Sequence, residues 1–543
     1  VTGSVASSKE RTISRIEAGV AAALAVSAVS VRVVFLMRVG ALWRDEVTSV
    51  NICATESIRT TLGLLRFDSF PALWALTLRS WIALGLGGSD VSLRVLGVLL
   101  GVVAVAAACW AVRRLGGGLP LLVLALLAMS PTAIVWGSEV RGYALGLAAF
   151  LATLPAFWAL SQGPARPSIV AAAAATALLA VHSSFSSSIL LFCVGLAAAC
   201  VAVRNRAFRT VGLIVAIGAA SAASLLVYRP MLASIREWND IVQNWRGPAW
   251  ILGRFQEAIG GAAMTAAWAL LLAVAIVACV ARIAPGARRY ADRERDLAIF
   301  LVVSAVTGTV GYLAYMLWLK VSTQVWYYLP PMGLLAVFID VAIEQVARGS
   351  ARLRLARLGA VVVLVALLGR GLVAASRTRL TDLDLVAEQL RARVGSDDLI
   401  VVNPWQAGVT FQRYYRGAAA WVTIPDFAER RYQTYSELKR TMATPEPIRA
   451  VLERIAGTLE ARHTIWLVGG LPFLKDGQRL ETLPPAPNSP RGWSESAYEH
   501  NWLQQAAYTI QTRARGLSPV PVGDERPVNQ FENARIYVVN AAP

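Results

Sequence analysis

This sequence predicts a mainly α-helical, polytopic membrane bundle followed by a small α/β domain. Three observations carry the prediction. Of 543 residues, 56% are hydrophobic and only 16% are charged, against about a quarter charged in a soluble globular protein. Apolar stretches long enough to cross a bilayer recur as far as about Ser376 and then stop. The net charge of +18 is carried mostly by Arg, much of it in short loops between apolar segments. Such placement reflects membrane topology and anionic headgroups. No basic stripe has the look of a nucleic-acid reading helix.

The first span runs from Gly19 to Met37, apolar apart from Ser27, Ser30 and Arg32. It reads as a retained helix, since its apolar run is too long for a signal peptide and no convincing small-residue cleavage site follows. An Arg this deep costs about 2.5–3.5 kcal/mol against lipid, so Arg32 should face protein. The expected spans are 18–38, 91–112, 119–136, 142–161, 168–183, 187–203, 210–228, 263–281, 297–319, 325–345 and 356–376, eleven in all. The stretch 70–86 is a twelfth candidate. If it spanned, Lys9, Arg11 and Arg15 would lie opposite the basic loops at Arg113-Arg114, Arg204–Arg209, Arg282–Arg295 (with Arg288 and Arg289) and Arg348–Arg357. The positive-inside rule therefore keeps it out of the bilayer. Residues 39–90 read as one long exoplasmic loop with juxtamembrane helices. Its 70–86 part is an amphipathic interfacial helix, with Trp74 and Trp81 suited to that depth.

From 377 onward charge, Pro and Gly rise. Short buried strands are expected at Leu399–Val402, Trp421–Ile424, Ile465–Val468 and Ile536–Val539, with amphipathic helices over 382–394, 446–461 and about 498–512. Strands separated by helices predict an α/β layer domain over 377–543, following a transmembrane domain over 1–376. Pro484 to Pro490 reads as a Pro-rich loop.

Four of the five cysteines lie in apolar segments, and residues 377–543 hold none, so no disulfide framework exists there. Three histidines, His182, His463 and His500, and no CxxC give no zinc signature. No GxGxxG or P-loop follows any expected strand in that domain, and Gly469-Gly470 reads as a strand-ending turn.

The topology gathers polar residues on one exoplasmic face, a site hypothesis in any membrane bundle. Asp45-Glu46 opens the first loop, where carboxylates are cheap to solvate yet can meet a lipid-borne substrate. Neighbours in sequence cannot point the same way, so one should face substrate and the other anchor the loop. Ser138-Glu139-Val140-Arg141-Gly142-Tyr143 joins the third and fourth spans, His182 ends the fifth, and Lys320 to Tyr328 joins the ninth and tenth. Sugar transfer from a lipid phosphate needs a carboxylate to take a hydroxyl proton and a cation to neutralise the leaving phosphate. It needs no nucleotide pocket. Each group also has a plain structural reading: solvated loop charges, a helix-turn ion pair, a satisfied helix-end histidine and interfacial aromatic anchors.

The order of these motifs resembles the GT-C glycosyltransferases, in the bacterial branch related to protein O-mannosyltransferases and the lipid A aminoarabinose transferase. Val31–Val50, VRVVFLMRVGALWRDEVTSV, is similar to that family's first helix and Asp-Glu loop. Residues 70–101 resemble its surface helix and second span. Ser138–Leu145 resembles its S-x-E-x-R-x-Y-A-L element, Val181-His182 its T-H-Y element and Trp326–Pro330 its R-Y-L turn. Two positions depart: Asp68-Ser69-Phe70-Pro71 stands where the family has His-Pro-Pro, and Trp326 replaces the turn Arg.

The resemblance implies a GT-C bundle and an inverting transfer from a polyprenyl-phosphate sugar to a lipid, glycan or protein hydroxyl. Asp45 would be the base, and Glu46 would orient the loop or help bind acceptor. Arg141, Lys320 and His182 would address the donor phosphate. Asp68, Glu139, Tyr143, Trp326 and Tyr327 would line the site. A divalent metal at Asp45/Glu46 is conceivable, although the His and Cys counts give it no support. The expected location is the bacterial inner membrane, with the active site and the C-terminal domain periplasmic. Two rival readings stay open: a flippase for lipid-linked glycans, although neither repeat symmetry nor a broken helix is visible, and a non-catalytic homologue assisting a partner enzyme.

Overall fold

The computed structural model describes residues 8–242, 246–284, 290–320, 322–475, 477–487 and 494–541. Arg288, Arg289 and the last three residues of the Pro484–Pro490 loop lie outside them. The chain falls into two compact units. The first comprises Val1–Met37, Phe70–Arg229 and Trp245–Ser376; the second comprises Arg38–Ser69, Pro230–Asn244 and Arg377–Pro543.

Among the described residues, nine helices are long and apolar enough to cross a membrane: Lys9–Arg38, Asp90–Gly116, Tyr143–Ser161, Ser187–Arg204, Phe208–Ser234, Ala262–Ile283, Asp292–Leu319, Val325–Ala347 and Ala351–Arg377. Each falls on one of the eleven expected spans. Large apolar side chains such as Phe192, Phe208, Leu270 and Val277 stand exposed on them, as lipid-facing positions require. Small residues line the inward face of Asp90–Gly116, where Ala104, Ala108 and Ala111 are buried. Close backbone approach of this kind holds helices together in lipid.

Two expected spans differ. Segment 168–183 forms Pro167–Ser183, a 17-residue helix shorter than the others. Segment 119–136 is not one helix but a helical turn at Leu121–Val123, a π-turn over Leu124–Ala128 and a new helix at Pro131–Val135. Pro131 has no N–H to continue the ladder, and Ser130 caps the restart by accepting from the Ala133 N–H at 3.4 Å. The guanidinium of Arg32, 1% exposed, answers the interrupted carbonyls. Its Nη1 donates to Ala128 O at 3.1 Å and to Ala28 O at 2.9 Å, and its Nη2 to Ala133 O at 3.4 Å. The expectation of unbroken helices therefore fails here.

A second buried charge ties three segments together. Asp340 accepts from the Val123 N–H at 2.8 Å through Oδ2 and from Arg357 through Oδ1, while Arg357 also reaches Glu344 and Leu119 O. The stretch 70–86 is a helix, Ala72–Trp81, ending in a π-turn at Ile82–Leu86 with Gly85 at φ +82°. Trp74 is 0% exposed, so its ring packs inside protein and not at an interface. Trp81 donates to Ser92 O at 3.1 Å.

The second unit is built on a five-stranded sheet: β1 (Leu399–Val402), β2 (Ala420–Thr423), β3 (Ile465–Val468), β4 (Ala514–Val520) and β5 (Ile536–Ala541), in the order β2-β1-β3-β5-β4. The first three are parallel, and β5 runs antiparallel to β3 and β4. Alternation decides the two faces. Leu399, Val401, Ile465 and Leu467 pack with Leu438, Ile455 and Trp502 from helices Tyr435–Met442, Arg449–Glu460 and Glu495–Gln511. Ile400, Val402 and Val468 pack with Val386 and Phe411 from helices Leu383–Arg393 and Ala407–Tyr414.

The same unit contains the loop that follows the first span. Leu380 N–H donates to Val39 O at 3.2 Å, Arg526 Nη1 to Arg38 O at 2.8 Å, and Leu42 N–H to the Tyr414 hydroxyl at 2.8 Å. Gly40, at φ +84°, lies where a Cβ would meet the Arg379 guanidinium at 2.7 Å, so no other residue fits without a shift.

Candidate functional site

The Asp-Glu pair opens the helix Arg44–Cys53. Glu46 is fully buried, and its Oε2 accepts from the Trp43 N–H at 3.2 Å, which satisfies one of the donors a helix start leaves open. Asp45 keeps a side-chain exposure of 22% in the first turn, where the helix dipole favours a carboxylate. Its Oδ1 accepts from Gln433 Nε2 at 3.2 Å and lies 3.6 Å from Arg44 Nε. Asp68 is joined to the same helix: its Oδ2 accepts from the Ser49 hydroxyl at 3.0 Å and its Oδ1 from the Ser69 N–H at 2.7 Å. Asp45, Glu46 and Asp68 thus belong to one small framework.

That framework stands on buried carboxyls that the sequence reading did not single out. Arg44 N–H donates to Glu532 Oε1 at 3.2 Å, and the Thr410 hydroxyl donates to the same oxygen at 2.9 Å. Burial pushes Glu532 up to about 8. Glu495 and Glu499 lie one turn apart on Glu495–Gln511. Burial, then the neighbouring Glu499, pushes Glu495 up to about 9. Glu499 accepts from Trp405 Nε1 at 2.5 Å and Gln406 Nε2 at 3.3 Å. The available signal was a pair of carboxylates four apart at the start of an amphipathic helix.

In the first unit, Ser138 to Arg141 is non-helical chain between Pro131–Val135 and Tyr143–Ser161. Two glycines of Asp90–Gly116 let it lie against that helix. A Cβ on Gly97 would sit 2.4 Å from Glu139 O, and one on Gly101 would sit 2.6 Å from Gly137 O. Glu139 is 1% and Arg141 6% exposed. The Arg141 guanidinium lies 4.8 Å from the Phe70 ring centroid and 5.9 Å from that of Tyr143. Phe70 meets Tyr143 edge-on at 4.9 Å, and Trp326 lies 4.2 Å from Trp136, 6.2 Å from Tyr143 and 6.1 Å from Tyr327. The structure therefore gathers Arg141, Tyr143, Trp326 and Tyr327 in one cation–aromatic cluster. Phe70 and Trp136 join it; their aromatic character was visible but gave no hint of the pairing.

His182 belongs to a separate hydrogen-bonded group. Its Nδ1 meets the Tyr228 hydroxyl at 2.8 Å and its Nε2 the Ser224 hydroxyl at 3.0 Å, while Tyr228 also accepts from the Ala72 N–H at 3.1 Å. Lys320 stands exposed just past helix Asp292–Leu319, in the left-handed conformation at φ +53°. Among the described residues no cluster of three or more His, Cys, Asp and Glu is arranged to hold a metal.

These features belong to a multi-pass membrane bundle whose fold is shared with a solved structure. The likeness is to ArnT from Cupriavidus metallidurans. Its crystal structure with undecaprenyl phosphate matches at 14% identity over 96% of this chain and 99% of that chain, with a TM-score of 0.51. The apo structure matches at 14% identity over 97% and 99%, with a TM-score of 0.54. The S. cerevisiae protein O-mannosyltransferase Pmt1–Pmt2 complex, bound to its sugar donor, aligns over 42% of this chain and 37% of that chain at 16% identity and a TM-score of 0.30. No family model and no curated protein sequence matches the chain.

Proposed function

We propose that this chain is a membrane glycosyltransferase. It moves a sugar from a polyprenyl-phosphate donor to a hydroxyl of a lipid, glycan or protein, on the periplasmic face of the inner membrane, with inversion. The observation that carries the reading is the Asp45 carboxylate, partly exposed at a helix N-terminus and held on Oδ1 by Gln433 and Arg44. The full-length likeness to ArnT, one of whose structures holds undecaprenyl phosphate, supports a lipid-linked donor.

In the proposed reaction the acceptor oxygen attacks the anomeric carbon from the face opposite the phosphate. Its proton passes to Asp45. The carbon–oxygen bond to phosphate breaks, and polyprenyl phosphate leaves with the electron pair. Arg141, whose guanidinium is presented on aromatic rings, suits a phosphate, and Lys320 is a second cation for it. Tyr143, Trp326 and Tyr327 offer ring faces for the sugar, and Glu139 and Asp68 offer acceptors for its hydroxyls. Glu46 anchors the loop. His182, with both ring nitrogens engaged, is given no substrate contact.

Incubating the purified protein with a panel of polyprenyl-phosphate sugars and following donor consumption by mass spectrometry tests this. The wild type consumes one donor, and Asp45→Asn inserts and melts like wild type but consumes none. Retained transfer by that variant overturns the assignment. A flippase is the second reading, favoured by the broken 119–136 segment. Arg32 closes that break with protein donors, which supports a structural use. A flippase would leave every donor chemically intact.

A further inference from the structure

Asp45 receives a hydrogen bond from a residue 388 positions later in the chain, Gln433, whose Nε2 donates to Oδ1 at 3.2 Å. The amide has a defined polarity. The Tyr435 hydroxyl donates to its Oε1 at 3.2 Å, which leaves the NH2 end for the carboxylate. Tyr435 in turn packs edge-on against Trp405 at 5.4 Å, and Trp405 is tied to Glu499. The two residues before Gln433 also bind the Asp45 segment. Arg431 O accepts from Asn51 Nδ2 at 2.9 Å, and the Tyr432 ring lies flat on Phe67 at 5.3 Å and 2°. Three successive residues therefore grip the helix carrying Asp45, the short turn Leu65–Phe67 further along the same loop and the carboxylate itself.

We propose that Gln433 is a positioning residue for the Asp45 carboxylate, and that Arg431–Gln433 is the means by which residues 377–543 act on the reaction. This rests on the reading of Asp45 as the base. The terminal torsion of an Asp is broad and two-fold. The Gln433 N–H on Oδ1, backed by a fixed amide, selects one setting of it. The charged and titratable groups around it are Arg44 at 3.6 Å from the same oxygen, Glu46 beside it in the chain, and Tyr435 behind the amide. Beyond Arg44 lie Glu532, Glu495 and Glu499.

Labelling of Asp45 by a water-soluble carbodiimide, followed at one fixed pH by peptide mass spectrometry, needs no turnover. Gln433→Ala removes the donor from Oδ1 and raises the labelling rate of Asp45 several-fold over wild type; an unmoved rate overturns the proposal. With a polyprenyl-phosphate sugar that the wild type consumes, Gln433→Ala lowers kcat about tenfold at unchanged donor KM, and Tyr435→Phe lowers it less. Wild-type kcat in Gln433→Ala, or a fall in kcat matched by a lost melting transition, overturns it as well. If the wild type consumes no donor, the glycosyltransferase reading fails, while the labelling still decides the Gln433 contact.

Discussion

Replacing Gly97 with Ala tests how the Glu139–Arg141 stretch is held. The new Cβ would lie 2.4 Å from Glu139 O and 2.5 Å from Ser138 O. A carbon–oxygen contact settles near ~3.4 Å, so about 1 Å must open between the helix and that chain. Both obstructing atoms are backbone, and no side chain can swing aside. Overpacking of this kind costs about 1–3 kcal/mol. It acts against the gain, up to about 1 kcal/mol, that Ala brings to any helix interior.

Gly212→Ala isolates that gain, since Gly212 sits in helix Phe208–Ser224 with nothing within 4 Å of its built Cβ. The expected result is a lower melting temperature for Gly97→Ala than for Gly212→Ala, read by thermal unfolding of detergent-solubilised protein. A displacement of ~1 Å at Arg141 should also cost on the order of 100-fold in donor consumption. If Gly97→Ala melts with Gly212→Ala and turns over like wild type, the helix does not set that stretch and the reasoning is refuted.

Arg32→Met should leave the carbonyls of Ala128 and Ala133 without their guanidinium donor, at about 1–3 kcal/mol each; an unchanged melting temperature would argue against that role. Glu532 carries a pH dependence of known sign. Its folded value is raised from 4.5 to about 8, so the stability it contributes is complete below about pH 4.5 and is lost as pH rises toward 8. Glu532→Gln should flatten that part of the melting-temperature profile, and a profile parallel to wild type would refute the assignment.

How far the sequence could be read follows from what each element depends on. Helices that bury one face against neighbours and turn the other to lipid announce themselves by length and composition, and nine spans were legible that way. The break at Met129–Pro131 was visible as a Pro, but whether a Pro kinks or divides a span depends on what answers the freed carbonyls. Here that is Arg32, 96 residues from Ala128. Leu399–Val402 and Ile465–Val468 are interior strands buried on both faces and appear as continuous apolar runs. The edge strand β4, Ala-Arg-Gly-Leu-Ser-Pro-Val, is largely exposed. It shows no such run, because edge strands are kept polar and tolerate Pro. Asp45 stood out through its place after the first span. Gln433 did not, since a neutral amide in a loop signals nothing until the chain returns to meet its partner.

That return has a consequence for how the protein is made. Arg44 N–H is answered by Glu532, 488 residues further along. At about 5–20 residues per second, roughly 20–100 s separate the two during synthesis. Throughout that interval the acidic loop has left the ribosome without the carboxylate that braces it. A newly inserted chain therefore holds Arg44 without this partner until residue 532 has been made.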